Sequence, residues 1–250
     1  MALAIEIVQP NLYAGAVADE IIESANEFIG AQGFFSIALS GGTTPGAVYR
    51  SLSNSSRSSR VEWEKIKLFI GDERWVSLED SMSNYHMVCE TLVDAVNFPK
   101  DRFFHVDTSV SDPAKAAENY SATLLKELPN ENGTPIVDLV LLGLGEDGHI
   151  ASLFPGSNEV LEEREKLVVC TKNPEDSSLR VSLAPRVILN ARRVLFLVRG
   201  ESKAKILKSV VNGTQDVQQL PAMMVVNEAK MVTWYVDSAA ATNLPPEYRG

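Results

Sequence analysis

The strongest constraint on this chain is a rhythm. Six short apolar runs, AIEIV (4–8), FFSIAL (34–39), IKLFI (66–70), VDLVLLG (137–143), KLVVC (166–170) and RVLFLV (193–198), are rich in β-branched or aromatic residues. Several lack polar alternation, which is the pattern of strands covered on both sheet faces. Segments of helical period lie between them. In NLYAGAVADEIIESANEFIG, Ala14, Val17, Ile21, Ala25 and Phe28 fall on one stripe, and SNYHMVCETLVDAV repeats the spacing. DPAKAAENYSATLLKEL opens with Asp at a cap and Pro at the first helical position, and GESKAKILKSVV predicts a further helix. Such alternation predicts an α/β fold: a doubly wound, mostly parallel sheet with helices on both faces. A single domain over residues 1–250 is the simpler division, because no internal repeat appears and the Ser-rich SNSSRSSR (53–60) is too brief for a domain linker.

Composition narrows the function classes. A formal charge of −10 repels a nucleic-acid backbone on average, and no basic strip carrying aromatics offsets it, so no nucleic-acid partner is expected. The opening MALAIEIVQPNLY lacks a basic segment followed by a long apolar one, and no window approaches 18 uninterrupted apolar residues. Neither secretion nor a membrane partner is expected. Cys89 and Cys170 form no CxxC pair, so a reducing, cytoplasmic setting is the expected one. No heptad seam points to an oligomeric partner, and that question stays open. A small anionic ligand needs only a few donors in one pocket and fits the composition.

In an open α/β sheet, ligand groups gather beyond the C-terminal strand ends, and four polar stations sit there. SGGTTPGAVY (40–49) follows FFSIAL and leads into a helix whose first turn accepts Pro45. Gly41 and Gly42 leave backbone N–H groups uncovered, and Thr43 and Thr44 add hydroxyls near a positive helix end, as a phosphate requires. A tight strand-to-helix turn reads equally well from this segment alone. GDERW (71–75) places Asp72, Glu73 and Arg74 after IKLFI; they form either a surface ion-pair cluster or a pocket edge where Arg74 offers its planar fork to an oxyanion or phosphate. GLGEDGHIASLFPG (143–156) combines turn-forming Gly145 and Gly148 with His149, whose imidazole accepts a proton near pH 7. Asp147 orients that ring or binds a substrate hydroxyl; in the bland alternative His149 caps an IASLF helix. The fourth station is split between Arg180 of RVSLAP and Lys203 of RGESKAKIL. Lys203 falls in the first turn of a helix, where the dipole gives a cation no help unless an anion lies beside it. Alone, each of these two is an ordinary surface charge.

His86, His105 and His149 lie far apart with no HExxH or His/Cys spacing, so no metal is expected; no GxSxG elbow supports serine hydrolysis. The ordered set LSGGTTP, GDERWV, SNY, GLGEDGHIASLFPG, RVSL and LVRGESKA, covering nearly the whole chain, resembles the 6-phosphogluconolactonase family, within a larger group that includes glucosamine-6-phosphate deaminases. The resemblance implies a doubly wound α/β fold. It implies hydrolysis of 6-phospho-D-glucono-1,5-lactone to 6-phosphogluconate in the oxidative pentose phosphate pathway, with no required metal or organic cofactor. It assigns Gly41, Gly42, Thr43, Thr44, Arg74, Arg180 and Lys203 to phosphosugar binding and His149 to general-base catalysis; Asp147 joins the catalytic set on its spacing from His149. Asp72 joins the substrate-binding set but is shared by both branches. Deaminases continue GEDGHIA with an FNEPG-type segment whose glutamate lies near the histidine; here the text is SLFPG. The alternatives are a deaminase/isomerase and a non-enzymatic phosphosugar sensor, which would have no need of His149.

Overall fold

The protein is described by a computed structural model for residues 4–161, 165–213, 216–217 and 219–248. The strands in chain order are β1 Ala4–Val8, β2 Phe35–Leu39, β3 Ile66–Ile70, β4 Asp72–Arg74, β5 Phe103–Phe104, β6 Asn130–Glu131, β7 Thr134–Pro135, β8 Leu139–Leu142, β9 Val168–Lys172, β10 Leu179–Leu183, β11 Arg193–Val198 and β12 Val232–Asp237. The α-helices are α1 Tyr13–Gln32, α2 Thr43–Leu52, α3 Ser55–Ser58, α4 Asn84–Val88, α5 Pro113–Glu127, α6 Asn158–Leu161, α7 Pro185–Asn190, α8 Ala204–Asn212 and α9 Ala222–Glu228.

Seven strands form one sheet in the order β1-β12-β11-β8-β2-β3-β5, every neighbouring pair parallel. Alternate strand residues point into two separate cores. Ala38, Phe69, Val140 and Phe196 join α5, α7, α8 and α9 on one face; Ile37, Leu68, Leu139 and Leu195 join α1 and α2 on the other. The doubly wound α/β architecture is therefore the one expected. The stripe of α1 buries Val17, Ile21 and Ala25, while Ala14 and Phe28 pack at its margin. Gly33 ends the helix at φ 86° and donates its N–H to the Ile29 carbonyl at 2.9 Å. Asp112 caps α5 by accepting from Ala114 N–H, with Pro113 at the first position.

Sheet order reverses between β8 and β2, so crossovers run away from that seam in both directions. This is where an open α/β sheet leaves a crevice. Asp138 fixes the register across it. Its carboxylate accepts from Ser36 N–H at 2.8 Å and Ser36 Oγ–H at 2.7 Å, and its own N–H donates back to Ser36 Oγ at 2.9 Å. Bonds to a buried carboxylate contribute about 1.5 to 3 kcal/mol each, and breaking them would let the strand ends beneath the site slide.

At four places the local structure differs from, or adds to, what the sequence pattern suggests. KLVVC yields β9, but β9 pairs antiparallel with β10 in a second sheet, β4-β10-β9, which rises over the C-terminal end of the parallel one. β12 joins the main sheet through Val232, Trp234 and Val236, which point inward while Thr233 and Tyr235 remain half-buried; the Trp234 ring stacks on Phe196 at 3.8 Å. IASLF is no helix: Ala151 has φ 47°, and Ile150 pairs with Leu153 in an isolated bridge. SNSSRSSR contains the one-turn α3, capped by Asn54, and its Arg57 pairs with Asp19 of α1.

Candidate active site

All four polar stations converge at the C-terminal ends of the adjacent strands β11, β8, β2 and β3. Three hollows open there, of about 500, 200 and 200 Å³, and Lys203 lines all three. The middle one shares His149, Asp72 and Arg74 with the largest, and shares Gly41, Gly143 and Leu144 with the third.

After β2 the chain turns through Ser40, Gly41 and Gly42 into α2. Gly42 has φ 104° and caps α2 without a side-chain hydrogen bond, and no acidic residue occupies the first turn. The helix end thus faces the hollow with its N–H groups free of a capping side chain, the arrangement that attracts an anion. Ser40 Oγ lines the same cleft, buried and without a partner among the described residues. Pro45 sits in the first turn as expected. Arg199, which the sequence reading passed over, lines this end together with Gly41 to Thr44 and Lys203; it pairs with Asp237 at 3.7 Å and lies over the Tyr13 ring. Lys203 closes a single 3-10 turn, Glu201–Lys203, and caps α8 rather than lying inside it. Its Nζ is 3.8 Å from Glu146.

The loop after β8 folds on itself. Gly145 N–H donates to the His149 carbonyl at 2.9 Å and Gly148 N–H to the Gly145 carbonyl at 3.1 Å. A Cβ on Gly145 would lie 2.1 Å from His149 Nδ1, and Gly148 needs φ 88°; both positions require glycine. Asp147 Oδ1 accepts from His149 N–H at 3.0 Å and meets Nδ1 at 2.6 Å. Partial burial raises the Asp147 carboxyl, but the ring and amide bonds from His149, with its charge, outweigh that and hold it below the usual carboxylate range. A carboxylate at Nδ1 favours the tautomer with the proton there, leaving the Nε2 lone pair available as a base. The Phe154 ring lies 5.0 Å from the imidazole.

On the β3 side, Asp72 is buried and accepts from Ser152 Oγ–H at 2.7 Å. Ser152 is thus a second site residue the sequence reading missed; a serine inside an apolar stretch was its only sign. Arg74 and Arg180 stand opposite each other across the β4–β10 ladder, a like-charge pairing that is ordinarily unfavourable. Burial, and then the Arg74 charge, lower the Arg180 pKa. Arg74 donates to the Met82 carbonyl at 2.5 Å, while its Nε is buried without a partner among the described residues. Both arginines, with Asp72 and His149, line the largest hollow, whereas Gly42 to Thr44 lie at the far end with Lys203. Lys203 and Arg199 thus stand at the 40s loop, Arg74 shares the middle hollow with Gly41, and Arg180 lines only the largest of the three. No three His, Cys, Asp or Glu side chains gather as a metal site among the described residues.

A doubly wound α/β protein with an aspartate-paired histidine in a cation-lined crevice is the class these features define. Residues 9–234 match the family model of glucosamine-6-phosphate isomerases/6-phosphogluconolactonase, and the chain belongs to that family. It is 36% identical over 219 residues to the 6-phosphogluconolactonase of Synechocystis sp., covering 87% of this chain and 88% of the relative. It is 32% identical to that of Haemophilus influenzae, covering 82% and 85%. The solved 6-phosphogluconolactonase of Trypanosoma brucei superposes with a TM-score of 0.88 at 30% identity over 98% of this chain and 99% of that one. A monomeric glucosamine-6-phosphate deaminase shares the fold with a TM-score of 0.80 at 19% identity.

Proposed function

We infer that the protein hydrolyses 6-phospho-D-glucono-1,5-lactone to 6-phospho-D-gluconate, the lactone-opening step of the oxidative pentose phosphate pathway. The observation that carries the mechanism is the Asp147–His149 pair between two cationic ends of one cleft. The whole chain acts as one domain, a reading supported by the pairing of β1 with β12. Gly41, Gly42, Thr43, Thr44 and Lys203 seat the phosphate at the end of α2, and Arg74, Arg180 and Asp72 hold the rest of the substrate. Anchoring the remote phosphate orients C1 toward His149. His149, oriented by Asp147, takes a proton from water as that water attacks the lactone carbonyl, and the tetrahedral oxyanion needs donors. Gly145 and Gly148 do not supply them, because their N–H groups are bonded within the loop; the cleft cations carry the charge to do so. Collapse of the intermediate breaks the C1–O5 bond, and the leaving oxygen takes up a proton.

The deaminase reading loses support at Phe154. The position that carries glutamate in the deaminase pattern holds a phenyl ring against His149, and no acid stands there for ring opening. The aqueous cytoplasm suits the phosphosugar chemistry, and among the described residues no helix is long and apolar enough to cross a membrane. The test is a blank-corrected assay on freshly generated lactone with and without the 6-phosphate, beside glucosamine 6-phosphate. The phosphorylated lactone should have the far larger kcat/KM. Equal values for the two lactones would remove the phosphate seat, and deamination without lactone hydrolysis would reverse the choice of activity.

A further inference from the structure

Glu73 lies between two cleft residues yet is itself fully buried, and it lines none of the three hollows. No ion pair serves it among the described residues. Four neutral donors converge on it instead. The N–H groups of Arg74 and Asn84 reach Oε1 at 2.8 and 2.7 Å; Tyr85 N–H and Ser83 Oγ–H reach Oε2 at 2.8 and 3.1 Å. Burial raises the Glu73 carboxyl, and the three backbone bonds oppose that. A buried carboxyl so fully bonded fixes whatever its donors belong to, and here that is the segment opening α4.

Asn84 is the residue in that segment that reaches the cleft. Its main chain is held by Glu73, and its side-chain Nδ2 donates to the Asp72 carbonyl at 2.7 Å. Those two bonds leave Oδ1 directly behind Gly41. A Cβ at Gly41 would lie 1.8 Å from that oxygen, and its three nearest atoms all belong to Asn84. The amide fills the space between the start of β4 and the turn into α2. We propose that Asn84 is a positioning residue for the Gly41 to Thr44 anion seat, and that Glu73 holds it there. The proposal rests on the phosphate reading of that seat. Asparagine suits the place because it donates to Asp72 without bringing a negative charge beside an anion.

The test compares wild type with Asn84→Ala, Asn84→Asp and Glu73→Gln on both lactones, with sorbitol 6-phosphate as a non-reacting phosphosugar inhibitor. Asn84→Ala should raise KM for the phosphorylated lactone and Ki for sorbitol 6-phosphate by roughly 3- to 10-fold, the worth of one hydrogen bond and its packing. The unphosphorylated lactone's kcat/KM should stay within about twofold, because that substrate makes no use of the seat. Glu73→Gln should raise the same KM and Ki with a smaller loss shared by both lactones, because Arg74 N–H is also among its donors, and Asn84→Asp should give a larger rise than Asn84→Ala. Gly41→Ala should lose phosphosugar binding, and adding Asn84→Gly to it should restore a measurable part. Equal losses on both lactones, no loss on either, or a double variant no better than Gly41→Ala alone overturns the proposal. A wild-type enzyme indifferent to the 6-phosphate would instead sink the phosphate reading itself, so the two failures are distinguishable. Should Glu73→Gln fail to fold, the Asn84 variants and the Gly41 pair still decide the matter.

Discussion

Asp147→Asn removes one charge and almost nothing else. Asp147 Oδ1 serves both the main-chain N–H and the ring Nδ1 of His149, at 3.0 and 2.6 Å. An amide oxygen in the same place still accepts the main-chain bond, so the loop keeps its shape. What vanishes is the negative charge beside an imidazole that, on the proposed mechanism, becomes imidazolium as it deprotonates water. Two unit charges 4 Å apart attract by about 1 kcal/mol in water and about 4 kcal/mol at an effective dielectric of about 20. The two side chains are 34% and 43% exposed, which puts the pair in the lower half of that range, about 1 to 2 kcal/mol. In kcat this is a loss of about 5- to 30-fold, with KM changed less than about twofold because the proposed phosphate seat is untouched. Initial rates on fresh lactone, corrected for spontaneous hydrolysis, measure it, with circular dichroism and a melting curve on the same preparation. A folded variant with wild-type kcat, or one whose whole loss lies in KM, refutes the argument that the carboxylate supports the charged ring.

His149→Asn should lower kcat by roughly 10² to 10⁴ while the fold persists; a folded variant near wild-type rate removes His149 from the mechanism. Gly148→Ala forces a side chain onto φ 88° and 2.4 Å from Leu220 Cδ2. At about 1 to 3 kcal/mol of strain and about 2 to 4 °C per kcal/mol, its melting temperature should fall by about 2 to 12 °C, and an unchanged melting curve would contradict the geometry. The Arg57 hydrogen bond holds the Asp19 carboxyl below its ordinary value against a smaller burial effect, with Arg60 adding to the lowering. A folded-state value below the unfolded one, about 3.9, means the stabilisation is complete above that pH and is lost as pH falls through the folded value. The melting-temperature gap between wild type and Asp19→Asn should therefore be full above about pH 4 and close on further acidification; a gap independent of pH rules the linkage out.

The central strands at 139–142 and 194–198 are legible because burial on both faces leaves an unbroken apolar run, whereas the edge strand β1 is broken by Glu6 and has no fully buried residue. Partners are not legible that way. Val168 to Cys170 are as apolar as a central strand, yet β9 lies in the small antiparallel sheet, since composition reports burial and not the neighbour that provides it. β12 has no unbroken apolar run; its signal is the alternation of Val232, Trp234 and Val236 with Thr233 and Tyr235. The site was legible where glycine is compulsory: Gly41, Gly42, Gly145 and Gly148 all prove to be places where a side chain meets a neighbour or the backbone takes a positive φ. Asn84, Ser152 and Arg199 were not, because each is defined by what lies across space from it.

β4 is bound to β10 above the cleft over three residues, and β8 to β2 beneath it over two. The seam between β8 and β2 divides residues of the 40s and 70s from those of the 140s and 200s. A hinge along it would have to unzip both of these pairings. These pairings already hold the two sides of the crevice together, so little of a substrate's binding energy need be diverted to bringing two lobes together.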